Sequence, residues 1–164
     1  MAIEQSWREW WRGFLGFSID MRPKALGVLN DRYIKESQHT ARLKLHAERM
    51  HYPQFRDKLL AIASDKAKHG EWIAEKINLL GGKLPHVPVV TDTGKTTWQF
   101  LSETLNEEQQ SAAELIEQSH NFRSEFPDVA EVLERIYEDA KRHRESLREM
   151  LMRSDPQSHL SYLS

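Results

Sequence analysis

The 164-residue chain contains no cysteine, which excludes disulfides, thiolate nucleophiles, iron–sulfur clusters and Cys-ligated zinc. Any metal must be held by His and carboxylates. Charge of one sign is also lacking: 23 Lys and Arg face 25 Asp and Glu, a formal net charge of -2, so no overall field favours nucleic acid or an anionic membrane. No apolar run approaches the length of a membrane span, and the N-terminus lacks the charged-then-apolar order of a secretory signal, its Trp residues being interleaved with Arg and Glu. The expectation is one soluble, cytoplasmic domain that binds no nucleic acid and does not enter a membrane.

What is there is helical periodicity. Leu26, Leu29, Tyr33, Glu36, Thr40, Leu43, Ala47 and Met50 alternate spacings of three and four, which places them on one stripe of a helix A over 23–50. After the break at His51, Tyr52 and Pro53, a second stripe runs through Phe55, Leu59, Ile62, Lys66, His69, Ile73 and Leu80, giving helix B over 54–80, closed by Gly81 and Gly82. A polar, Pro-containing stretch follows. Trp98, Leu101, Leu105, Glu108, Ala112, Leu115, Ser119 and Phe122 then mark helix C, over 97–123, and Val129, Leu133, Ile136, Ala140, His143, Leu147 and Met150 mark helix D, over 128–152. Residues 155–164 read as a flexible tail.

Two short connections pair A with B and C with D, while the middle one is long. At about 3.3 Å per residue it can run back along a helix of about 25 residues, roughly 37 Å. The expected fold is therefore all-α, a ferritin-like four-helix bundle with one long B–C crossover. The halves also resemble each other. Glu36 to Leu43 lies over Glu108 to Leu115 with Glu, Gln, Ala and Leu in register, and Ile62 to His69 lies over Ile136 to His143, as a duplicated helix hairpin requires.

The stripes carry charge where apolar residues are expected: Glu36, Lys66, His69, Glu108 and His143, all near mid-helix. Charged groups are seldom buried unless paired or bound to metal. An antiparallel bundle brings them to one level.

At these residues the chain resembles rubrerythrin and its ferritin-like relatives, over about residues 30–152. Glu36-Ser-Gln, Ala47-Glu-Arg-Met, the Lys68-His69 helix running to Leu79-Leu-Gly-Gly, and Asp139-Ala-Lys-Arg-His143 are similar to its diiron domain. In that family a Glu on each of A and C, with a Glu-x-x-His on each of B and D, holds two irons. The resemblance implies metal ligands Glu36, His69, Glu108 and His143, with Glu107 as the alternative to Glu108; it names no catalytic residue. The bridging carboxylates of that pattern are replaced by Lys66 and Ala140. Lys66 is accordingly expected to form salt bridges with Glu36 and Glu108 in place of metal, and the cofactor expectation is iron or manganese, one ion or none rather than two. Asp65 and Asp139, four residues before the histidines, read as a solvated helix face, with an altered site on the face they share with those histidines as the alternative, and His39, His51 and His120 read as surface or flanking residues. Without a four-cysteine iron site, redox turnover needs a separate electron donor.

Ser6 to Glu9 has the form of a capping box, and Trp7, Trp10, Trp11 and Phe14 share one side of a short helix within an aromatic segment, 1–22. Packing on the bundle or in a homodimer interface is expected, with membrane-surface binding as the runner-up. Two functions compete: a metal-binding oxidoreductase acting on peroxide or oxygen, and a metal-free structural or interaction module.

Overall fold

The computed structural model describes the backbone from Ala2 to Ser154 and the side chains from Met21 to Ser154. The side chains of Trp7, Trp10, Trp11 and Phe14, and the tail 155–164, lie outside the described residues. Four helices follow in order: α1 (Ala2–Glu48), α2 (Pro53–Leu79), α3 (Thr97–Phe122) and α4 (Pro127–Met152).

Local chemistry sets their ends. Pro53 and Pro127 open α2 and α4 at a position where a missing N–H costs no intrahelical bond. Thr96 and Gln99 form a reciprocal capping box at α3, with bonds of 3.2 and 3.0 Å. Gly81 ends α2 at φ 75°, and the amides of Gly81 and Gly82 return to Asn78 O and Ile77 O at 2.9 Å. Gly82 is also required for close approach, since a Cβ there would stand 2.6 Å from a Leu26 methyl.

α1 packs along α2 and α3 along α4, with further contacts between α2 and α4 and between α1 and α3. The connection over 80–96 lies outside α1: Arg22 holds Leu80 O at its start, and Arg49 holds Asp92 and Lys95 O at its end. α3 therefore begins beside the C-terminal end of α1 and runs antiparallel to it, the arrangement that a long crossover permits.

The apolar core is in two parts. One gathers Leu43, Met50, Phe55, Leu59, Leu101 and Leu147, and the other Leu29, Ile73, Ile77, Leu115, Leu133 and Ile136. Each buried Leu or Ile contributes roughly 1.5–3 kcal/mol. Between the two parts lie the buried residues Glu36, Lys66, His69, Glu108 and His143.

Candidate functional site

Mid-helix positions on all four helices converge in this layer. Glu36 comes from α1, Lys66 and His69 from α2, Glu108 from α3 and His143 from α4, each between 1% and 3% exposed. The Lys66 ammonium sits between the two carboxylates, 2.5 Å from Glu108 Oε1 and 3.4 Å from Glu36 Oε2. The same Glu36 oxygen is 3.3 Å from His69 Nδ1. Across the layer, His143 Nδ1 is 3.8 Å from Glu108 Oε2, too far for a hydrogen bond, and it has no partner among the described residues.

The outer nitrogens of the two imidazoles make crossed contacts. His69 Nε2, on α2, meets Asp139 of α4 at 2.9 Å, and His143 Nε2, on α4, meets Asp65 of α2 at 3.1 Å. Each aspartate precedes the histidine of its own helix by four residues and contacts the histidine of the other. With both outer nitrogens engaged by carboxylates, both Nδ1 atoms are turned toward the glutamates.

On the α1–α3 side a ladder of ion pairs closes the layer. His39 Nε2 is 3.0 Å from Glu107 and its Nδ1 is 3.6 Å from Glu108. Arg42 binds Glu107 through two bonds of 3.0 and 2.8 Å, and Arg32 and Lys35 meet Glu114 at 3.1 and 2.9 Å. Among the described residues of α3 no Lys or Arg interrupts its acids before Arg123, so α1 supplies the cations.

The electrostatics follow from these contacts. Burial alone would raise the Glu36 carboxyl, but Lys66 and the His69 hydrogen bond outweigh it and hold the group at about 2. Glu108 is also held well below the carboxylate range, burial being overcome by Lys66, His143 and His39. Burial would lower Lys66; its two glutamates more than offset this and raise it. Glu107 is lowered to about 2 against burial by His39 and Arg42, and His39 is raised against burial by Glu107 and Glu108.

The structure thus brings Glu36, Lys66, His69, Glu108 and His143 together, and it buries Glu108 while leaving Glu107 at the surface. Three readings are corrected. Asp65 and Asp139 are not simply solvated, because each reaches a histidine of the opposite helix. His39 is not a surface residue: it is 11% exposed and wedged between Glu107 and Glu108. Sequence reasoning also missed Arg32, 2% exposed and bound to Ser111, Glu114 and Gln118, and His46, stacked flat on Phe100 at 4.0 Å with a buried Nε2 lacking a partner among the described residues. His46 precedes the stripe residue Ala47 by one position, the only hint that the core would reach it.

The donor set does not fit a pair of metal ions. The positions three before the histidines offer an ammonium and a methyl, where two adjacent cations need bridging anions. Among the described residues no three His, Asp or Glu side chains gather in a geometry that would hold an ion.

No family model matches the chain, and no curated protein matches it. Solved structures do. A protein from Xanthomonas campestris pv. campestris superposes with a TM-score of 0.70 at 20% identity, covering 80% of this chain and 90% of that one. Bacterioferritin BfrA of Mycobacterium tuberculosis gives 0.72 at 22% identity, covering 79% and 85%, and a mycobacterial bacterioferritin gives 0.71 at 22%, covering 85% and 90%. At such identities the likeness establishes the fold: this chain is a ferritin-like four-helix bundle.

Proposed function

We propose that this chain is a rubrerythrin-type relative that has exchanged the di-metal centre for a lysine-compensated polar layer, and that it serves as a structural or interaction module. One observation carries the reading: the buried Lys66 ammonium lies between Glu36 and Glu108, at 3.4 and 2.5 Å. Two buried carboxylates without a counter-charge cost several kcal/mol each. Lys66 offsets that cost with a covalently attached cation that no chelator removes, and it does no redox chemistry. Such a module needs no electron donor.

The second reading, a metal-binding oxidoreductase acting on peroxide or oxygen, is favoured by the crossed Asp–His contacts, because carboxylates that orient imidazoles accompany metal-ligating histidines. It lacks the bridging carboxylates on which paired-ion chemistry depends.

Elemental analysis separates the two. Protein purified without chelator and offered Fe(II) and Mn(II) anaerobically should hold fewer than two ions per chain and reduce neither peroxide nor oxygen at the expense of added ferrous iron. Two ions per chain, with turnover, would establish the oxidoreductase reading instead.

A further inference from the structure

α1 is longer than the bundle it belongs to. It begins at Ala2, while α2 ends beside Arg22, whose Nε donates to Leu80 O at 2.8 Å. The crossover turns back from there toward Arg49, and Phe126, in the α3–α4 connection, packs on the same apolar cluster as Met21. Residues 2–20 therefore continue past this end of the bundle as about 28 Å of helix, at about 1.5 Å per residue. Pro23, which has no N–H to donate back to Ile19, marks where this arm leaves the bundle.

By spacing, Ile3, Trp7, Trp10, Phe14, Phe17 and Met21 form one stripe, which runs on into Ala25 and Leu29, both fully buried in the bundle. α1 thus carries its core stripe beyond the end of α2, the helix that covers it. The bundle end beside it is apolar too. A cleft of about 180 Å³ between the end of α2 and the start of α4 has Leu79, Leu80, Phe126, Pro127 and Val129 in its lining, and Leu79 is 67% exposed.

We infer that residues 2–20 are a dimerisation arm, which pairs antiparallel with the same segment of a second copy so that each arm's tip meets the cleft at the end of its partner's bundle. Steps of four and three alternate along the stripe and read the same from either end, so antiparallel pairing sets Ile3 opposite Met21, Trp7 opposite Phe17 and Trp10 opposite Phe14. In that register Trp11 stands opposite Gly13, a large residue against a small one. The pairing is isologous and closes at two copies.

The area is sufficient. An aromatic side chain buries roughly 150–250 Å², so Trp7, Trp10, Phe14 and Phe17 supply about 600–1,000 Å² per copy, against roughly 800 Å² per partner in a standard interface. The arm also needs a partner, because Gly13 and Gly16 each cost about 1 kcal/mol in a helix relative to Ala, and a lone helix of this length is marginal in water. An arm that continues α1 leads away from its own cleft, which leaves that cleft to the arm of another copy. Its charges, Glu4, Arg8, Glu9, Arg12 and Asp20, mix both signs, which suits a protein partner rather than an anionic lipid surface. None of this depends on the state of the polar layer, so failure of the arm pairing leaves the lysine-compensated reading standing.

The experiment is sedimentation equilibrium of the full chain at micromolar concentration. The wild type should be a dimer. The double variant Trp10→Glu, Phe14→Glu should be a monomer at the same concentration, and Val89→Glu, at an 88% exposed position of the crossover, should remain a dimer. The substituted positions lie outside the bundle core, and circular dichroism reports whether the bundle persists. Because the chain has no cysteine, a second measurement fixes the register: Trp10→Cys mixed with Phe14→Cys should cross-link under mild oxidation, and either variant alone should not, its cysteines being too far apart across an antiparallel pair. A monomeric wild type, a dimeric double variant, or a mixture that cross-links no better than either cysteine variant alone overturns the inference. A monomeric wild type that sediments with vesicles of phosphatidylglycerol would make residues 2–20 a membrane arm instead.

Discussion

His69 of α2 and Asp139 of α4 meet at 2.9 Å, and the contact is matched in reverse by His143 of α4 and Asp65 of α2 at 3.1 Å. These crossed pairs tie the second helix of each hairpin to the other hairpin, through buried imidazoles that anchor the polar layer. The duplication visible in the sequence thus becomes an approximate two-fold relation in the core, broken where Lys66 faces Ala140.

If Asp139 holds His69 in place, its loss exposes the cost of a buried imidazole Nε2 without a partner, Glu36 engaging only Nδ1. Asp139→Leu should destabilise the fold by about 1–3 kcal/mol, and Asp139→Asn, whose amide oxygen still accepts, by less. Urea denaturation measures both. Equal stability of Asp139→Leu and wild type would mean that the contact contributes nothing.

Lys66 is needed because two glutamates are buried with it. Lys66→Met alone should cost roughly 3–5 kcal/mol, since it leaves Glu36 and Glu108 uncompensated, whereas the triple variant Lys66→Met, Glu36→Gln, Glu108→Gln should recover most of that loss. A single variant as stable as wild type in chemical denaturation would show that the ammonium is dispensable.

The layer also sets an acid limit. Glu36 and Glu107 are held at about 2 against an ordinary value of 4.5. A carboxylate whose folded value is depressed contributes stability that is present above the unfolded value and lost as pH falls toward the folded one. Stability should therefore decline between pH 4.5 and 2. Lys66 behaves oppositely: its raised value gives stability that is lost only as pH rises beyond 10.5. Urea midpoints at pH 7, 5, 4 and 3 test the acid side, and a constant midpoint from pH 5 to 3 would contradict it.

The bundle was legible because four stripes at spacings of three and four, two short turns and one long connection leave few ways to bury the apolar faces. The polar layer was legible because Glu36, Lys66, His69, Glu108 and His143 interrupt those same stripes. Asp65, Asp139 and His39 were not. Each lies one step off its stripe, and whether such a residue meets solvent or a neighbouring helix depends on which helices are adjacent, which periodicity does not encode. Arg32 and His46 were missed for a related reason: on α1 the buried surface is wider than one stripe, because α2 and α3 both pack against it.

His46 illustrates a cost the fold carries. Burial, with Arg49 nearby, lowers its imidazole to about 4 from 6.5, so unfolding takes up a proton and stability from this residue falls between pH 6.5 and 4. His46→Phe keeps an aromatic ring against Phe100 and removes an orphaned nitrogen. It should raise stability by about 1 kcal/mol at pH 7, and more at pH 5. A thermal unfolding midpoint below wild type at pH 5 would refute this.

The Lys66 ammonium stands between Glu36 and Glu108 where a cation would, and Lys66→Glu probes that role. The substitution removes the positive charge and supplies a carboxylate three residues before His69, as the rubrerythrin-type pattern requires. Metal stoichiometry after anaerobic loading with Fe(II) or Mn(II) is the readout. The variant should hold at least one more ion per chain than wild type; equal stoichiometry in a folded variant would contradict that role.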